Sequence, residues 1–179
     1  MGMRMPGWYD IKLLSPKMTF EEFQRDEDES GTVLSRDYVN TLIANEISKG
    51  IPPSRIVLGG FSQGGALAIF TGLTYKEKLG GIFALSSYVP FANRIQSFLQ
   101  GHKEGTWANK SVPVFQAHGT MDPIIPCPLG EASSKILREL GMDVEFKSYR
   151  GLDHSADPEE IEDLSRFLRK VIPEQGEKL

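Results

Sequence analysis

Apolar and polar positions change period several times along the chain, and each change marks an element. The first ten residues show no helical periodicity, and Trp8-Tyr9-Asp10-Ile11 reads as a short extended piece. Residues 15–31 are polar and acidic, with Glu21, Glu22, Asp26, Glu27, Asp28 and Glu29 close together. This predicts a solvated loop in which Phe20 and Phe23 still need a surface to bury against. Leu34, Tyr38, Leu42 and Ile47, with Val39 and Ile43 beside them, recur at helical spacing and predict an amphipathic helix that Gly50 and Pro52-Pro53 end.

The run Arg55-Ile56-Val57-Leu58 reads as a strand closed by Gly59-Gly60, and Gln63 to Thr74 as a glycine- and alanine-rich helix. Residues 81–86 predict a second strand and 88–105 a long irregular connection. A third strand follows over 112–117, then a helix over 129–140 that Gly141 stops, and an alternating edge strand from Val144 to Tyr149. The last helix starts at Pro158, capped by Asp157 with Glu160 three residues on, and is apolar at Ile161, Leu164, Leu168 and Val171. Alternating strands and helices over 179 residues give an α/β fold: one domain over residues 1–179, with a mostly parallel sheet and helices on both faces.

Chemistry concentrates at the first strand-to-helix turn. Gly60-Phe61-Ser62-Gln63-Gly64 fits G-x-S-x-G, the turn that lifts a serine hydroxyl above the end of a parallel sheet. The serine backbone is strained there, and a Cβ at either glycine is expected to push strand and helix apart. Gln63 opens the helix, so its backbone N–H is the candidate oxyanion donor at the positive end of the helix dipole. Taken alone the pattern is also open to a plain glycine-rich strand-to-helix turn, and its placement between a strand and a buried helix favours the serine reading. Two phosphate-binding readings fail: Gly64-Gly65-Ala66 stands where a Walker loop needs Gly-Lys-Ser/Thr, and no glycine triplet has the i, i+2, i+5 spacing of a dinucleotide fingerprint.

A serine hydroxyl needs a histidine base, and the imidazole needs an acid to hold its tautomer. In the hydrolase fold these follow in the order serine, acid, histidine, on loops after later strands. Asp122, after the third strand, and His154, after the fourth, satisfy that order. His118 lies too near the strand end and is expected to bond within its loop. Asp153 adjoins His154 and is expected to point elsewhere, and His102 falls in the irregular connection. The three histidines have no metal-ligand spacing, so neither metal nor other cofactor is called for.

Charge and composition narrow the class. A net charge of -4 argues against a nucleic-acid binder, and no apolar run reaches the ~18 residues of a membrane span. The amino terminus lacks the apolar core of a secretion signal. Pro6 spoils a myristoylation reading of Gly2, and Glu177-Lys178-Leu179 matches a peroxisomal signal only loosely. Cys127 is the single cysteine, set between two prolines with no helix start behind it, and is not expected to act as a nucleophile. A lone thiol without a signal peptide points to the cytoplasm, with the nucleus as a second address.

The runs PGWYDI (6–11), EDESG (27–31), GIPPSRIVLGGFSQGGALAIFTGL (50–73), HGTMDPIIP (118–126) and GLDHS (151–155) resemble the acyl-protein thioesterases, cytosolic α/β-hydrolases related to lysophospholipases and small carboxylesterases. The resemblance implies a Ser62–His154–Asp122 triad and cleavage of fatty-acyl thioesters from cysteines of S-acylated proteins, among them G-protein alpha subunits and Ras-like proteins. Membrane contact would be transient. Tyr88, Phe91, Ile125 and Leu152 are the candidate acyl-groove residues. Family members carry some sixty further residues ahead of the segment matched here, including strands and an H-G-L-G-D loop that supplies a second oxyanion N–H. The resemblance therefore leaves three readings: thioesterase, carboxylesterase or lysophospholipase, and a catalytically silent module that only binds acyl chains or proteins. It also implies that the first strand forms an apolar edge.

Overall fold

Each strand alternates its side chains between two faces, and parallel pairing of the strands turns those faces into two cores. The computed structural model describes residues 6–11, 19–99 and 107–174. Strands β1 (Val57–Phe61), β2 (Gly81–Leu85), β3 (Val114–Gly119) and β4 (Val144–Tyr149) lie side by side in chain order, all parallel. The helices are α1 (Phe20–Gln24), α2 (Glu29–Ser48), α3 (Gln63–Thr74), α4 (Ile95–Leu99), α5 (Cys127–Glu139) and α6 (Pro158–Val171). Ile82, Ala84, Val114 and Val144 pack with Ile69, Phe70 and Leu73 of α3 and Leu137 of α5 on one face. Leu85, Phe115, Ala117 and Tyr149 pack with Phe167 of α6 on the other. Among the described residues β1 and β4 are the sheet edges, as expected.

Several elements depart from their sequence patterns. The predicted apolar set of α2 divides: Leu34, Tyr38 and Leu42 are 73%, 57% and 44% exposed, while Ile43 is buried and Val39 and Ile47 pack with it on Tyr75 and Leu79. All six recur at helical spacing, so periodicity alone cannot choose which of them face inward. In α6, Ile161 is exposed and Glu160 is buried, with Asp157 capping through the Glu159 N–H at 2.8 Å. Residues 8–11 form no strand, and the irregular connection contains α4. Cys127, expected to have no helix start behind it, is itself the first residue of α5; it is buried, and desolvation pushes its thiol up to about 11.

The acidic segment is not a solvated loop. Thr19 and Glu22 form a reciprocal capping box on α1, and Asp28 caps α2 through the Gly31 N–H at 2.9 Å. Phe23 meets Tyr88 edge-on at 4.3 Å. Glu27 Oε1 accepts the Phe91 N–H at 2.8 Å, pinning a residue whose φ is 53°, and Gln24 Oε1 accepts the Asn93 N–H at 3.0 Å. Part of the predicted segment, residues 15–18, lies outside the described residues.

Two glycines let α3 lie against β1. A Cβ on Gly60 would stand 2.5 Å from the Gly64 carbonyl carbon, and one on Gly65 would stand 2.8 Å from Gly60 O and 2.9 Å from Ser87 Cβ. Gly64, which the motif reading held to be equally tight, has only Trp8 Nε1 within 4 Å, at 3.8 Å. The close approach is therefore made by Gly60 and Gly65. Gly65→Ala should lower stability by about 1–3 kcal/mol through overpacking. Gly64→Ala should be neutral or stabilising by up to about 1 kcal/mol, from helix propensity, and urea unfolding of the two variants checks the contrast.

Burial raises the Glu27 carboxyl to about 7, overcoming the Phe91 N–H bond and the nearby Arg94 charge. A raised folded value means that stability is lost as pH climbs from the ordinary carboxylate range through about 7. Glu27→Gln keeps the acceptor for Phe91. It should flatten that loss and be more stable than the native chain at pH 8 by about 1–2 kcal/mol, after discounting for solvent screening, as read from denaturant midpoints at pH 5 and pH 8.

Candidate active site

β1 runs into Ser62 and the chain reverses directly into α3, leaving Ser62 at φ 53° and ψ −123°. Three bonds hold this backbone: the Ser62 N–H donates to Leu85 O at 2.8 Å, and Ser62 O accepts from Ser87 Oγ at 2.8 Å and the Ala66 N–H at 3.1 Å. Strain at a non-glycine residue persists only where surroundings determine the conformation this fully. The hydroxyl is thereby set at the carboxyl end of the sheet, where open α/β folds bind ligands.

The loops that follow β3 and β4 are bound to each other. The Met121 N–H donates to Leu152 O at 2.9 Å, and the Gly151 N–H donates to Thr120 Oγ1 at 2.9 Å. Gly119 has no room for a side chain, because a Cβ would lie 2.3 Å from Leu152 O. This contact brings Asp122 to His154. His154 Nδ1 is 2.7 Å from Asp122 Oδ2 and His154 Nε2 is 3.0 Å from Ser62 Oγ. A carboxylate accepts only, so the network assigns Nδ1–H as donor to Asp122 and leaves Nε2 to accept the Ser62 hydroxyl. The Phe61 ring lies 4.7 Å from the imidazole and covers one side of it.

The Asp122 carboxylate is fully buried, whereas the His154 side chain keeps 17% exposure. Burial alone would raise the Asp122 carboxyl. Bonds from His118 and His154, and from the Ile125 and Ile124 N–H groups to Oδ1 at 2.8 and 2.9 Å, outweigh it and hold the group well below the usual carboxylate range. The site thus keeps a buried negative charge beside an imidazole that touches a hydroxyl. Such an arrangement can draw a proton from Ser62 and stabilise the imidazolium that results.

The structure brings Ser62, His154 and Asp122 together, with Gln63 beside them as the first residue of α3, where the helix leaves its N–H without an intrahelical acceptor. It does not bring the expected acyl-groove residues there as a surface. Phe91 is fully buried among Phe70 and its neighbours, and Tyr88 and Ile125 pack with Phe23, Ala66 and Leu129. Leu152 is partly buried against the Phe115 and Phe167 cluster. These apolar residues satisfied a groove pattern equally well as a core pattern, and packing resolved them into core.

A groove of about 510 Å³ beside Ser62 is lined instead by Pro6, Gly7, Trp8, Phe61, Gln63 and Gly64. The Gln63 carboxamide builds this wall, accepting the Trp8 N–H at 2.8 Å and donating to Tyr9 O at 2.7 Å. Sequence reasoning missed this side-chain role, since nothing in local spacing links residues 8 and 63. His118 bonds within its loop as expected, with Nε2 2.7 Å from Ile125 O; His102 lies outside the described residues. Among the described residues no group of three or more His, Cys, Asp or Glu could hold a metal ion, and no helix is long and apolar enough to cross a membrane.

A family model described as Phospholipase/Carboxylesterase matches residues 1–172. The chain is 52% identical to acyl-protein thioesterase 1 of Aspergillus fumigatus, over 98% of this chain and 72% of that protein. It is 51% identical to acyl-protein thioesterase 1 of Emericella nidulans, over the same shares. Its fold matches the crystal structure of Arabidopsis thaliana SOBER1 with a TM-score of 0.83 and 31% identity, covering 96% of this chain and 76% of that one. The chain therefore belongs to the phospholipase/carboxylesterase family of α/β-hydrolases and groups within it with the acyl-protein thioesterases.

Proposed function

We propose that this chain hydrolyses fatty-acyl thioesters on protein cysteines, with Ser62 as nucleophile, His154 as general base and acid, and Asp122 as the group that orients and charges the imidazole. The observation that carries the reading is the continuous hydrogen-bonded line from Asp122 Oδ2 through His154 to Ser62 Oγ, at 2.7 and 3.0 Å. The thioesterase names of relatives at 52% and 51% identity support the substrate class.

His154 Nε2 takes the Ser62 proton as Oγ attacks the thioester carbonyl carbon, and the carbonyl oxygen gathers negative charge against the Gln63 N–H. The carbon–sulfur bond then breaks. Cysteine thiols ionise near 8.5, so sulfur leaves readily and takes up the proton held on His154. Water, deprotonated by His154, attacks the acyl carbon; the carbon–Oγ bond breaks, His154 returns the proton to Ser62 Oγ, and the fatty acid is released. S-acylated G-protein alpha subunits and Ras-like proteins at the cytoplasmic membrane surface are the proposed substrates.

A second reading rests on the description of the matching family model: carboxylester or lysophospholipid cleavage by the same residues. Relative rates on a palmitoyl-cysteine peptide, a lysophospholipid and a short ester separate the two, and the thioester should lead. A fluorophosphonate probe should label the native chain, and Ser62→Ala should abolish labelling; a label that persists removes Ser62 from the mechanism. Asp122→Asn should lower kcat by about 10⁴-fold by favouring the wrong imidazole tautomer, as measured on the thioester. Acyl or partner binding without turnover on all three substrates would establish the silent module instead.

A further inference from the structure

We propose that His118 is a positioning residue for the hydrolytic site, acting through Asp122: its ring fixes the turn that aims the Asp122 carboxylate at His154. This deepens the proposed function and rests on it in taking Asp122 as the acid.

The geometry is a closed loop of bonds. Ile125 offers both ends of its backbone to the site: its N–H donates to Asp122 Oδ1 at 2.8 Å, and its carbonyl oxygen lies 2.7 Å from His118 Nε2. His118 Nε2 also stands 3.5 Å from Asp122 Oδ2, the oxygen that bonds His154 Nδ1 at 2.7 Å. A carbonyl and a carboxylate both accept, so Nε2 must carry the proton and point it between them. His118 sits on β3, and the turn after it is held to the loop after β4 at Thr120 and Met121, while its far end, at Ile125, is held to the strand through His118. The ring thus cross-links the turn to the strand that precedes it.

The fold makes room for this ring at a cost elsewhere. His118 is 1% exposed, and a Cβ on Gly130 of α5 would lie 2.3 Å from its Nδ1, so the imidazole occupies the space that a side chain on α5 would take. Asp122 and the buried carboxyl of Glu160 at the start of α6 are charged groups near it. An apolar residue would fill the same volume without the cross-link. Without the Nε2–H, the Ile125 carbonyl loses a buried donor and the Asp122 carboxylate, still bonded by Ile124, Ile125 and His154, loses the ring N–H 3.5 Å away.

Three variants read this out. His118→Phe keeps the ring shape without the donor, His118→Asn keeps polarity but does not reach Ile125 O, and His118→Gln places an N–H near the position of Nε2. Two measurements are made on each. One is the rate of fluorophosphonate labelling of Ser62; the other is the low-field proton resonance of the His154 Nδ1–H bonded to Asp122, readily assigned because the chain has three histidines.

Loss of the donor should slow labelling roughly 10- to 100-fold, the effect expected of one hydrogen bond to a charged group, and should shift the resonance upfield or lose it to exchange. His118→Gln should recover most of both. If His118→Phe does not fold, the contrast between Asn and Gln carries the test. Native-like rate and resonance in His118→Asn, or no recovery in His118→Gln, overturns the proposal and leaves His118 as a core residue satisfied by one carbonyl. Failure of the hydrolase reading looks different: native Ser62 then resists the probe while the His154 resonance still responds to His118.

Discussion

Everything at the site depends on α3 lying directly against β1 with hydrogen atoms where side chains would be. Gly60 and Gly65 allow that approach, and it forces Ser62 into a left-handed conformation between strand and helix. The strain is sustained by hydrogen bonds on both sides of the residue, from β2 and from the turn after it. A looser packing would let Ser62 relax to an ordinary turn, and its hydroxyl would no longer project over the sheet. The position of the Ser62 hydroxyl is thus a consequence of backbone contact rather than of any interaction the serine side chain makes.

The parallel sheet supplies the second requirement. Because all four strands run the same way, the loops after β1, β3 and β4 open on one rim. The loops carrying Asp122 and His154 are then joined to each other by backbone bonds, with Gly119 permitting the contact. A carboxylate buried this completely would be costly alone. Its N–H and imidazole donors convert that cost into a fixed negative charge with a single open direction, toward His154.

The polar amino-terminal third has a structural use as well. Gln63 holds residues 8 and 9 beside Ser62, the Tyr9 hydroxyl meets that of Tyr88 at 2.8 Å, and the Asp10 N–H reaches Asp28. Glu27 and Gln24 then grip the loop after β2. Charge clustering at 21–29 gives no hint of these grips, because each acts on a backbone N–H more than sixty residues away. The same side chains in a different fold would be solvated.

The alternation of strands and helices, the G-x-S-x-G turn and the convergence of Ser62, Asp122 and His154 on one rim were legible in the sequence, since each depends on local backbone geometry or on chain order. Hidden from it were the choices between equivalent patterns. Leu34, Tyr38, Leu42, Val39, Ile43 and Ile47 all recur at helical spacing, and only packing against Tyr75 and Leu79 decides that the last three are covered. Tyr88, Phe91 and Ile125 suit a groove or a core equally, and only packing made them core. Distant partnerships such as Gln63 with Trp8, or His118 with the space over Gly130, have no local signature. Local periodicity records that a residue must be buried or a turn must be tight; which neighbour buries it, and which of two adjacent glycines bears the contact, is set when separate elements meet.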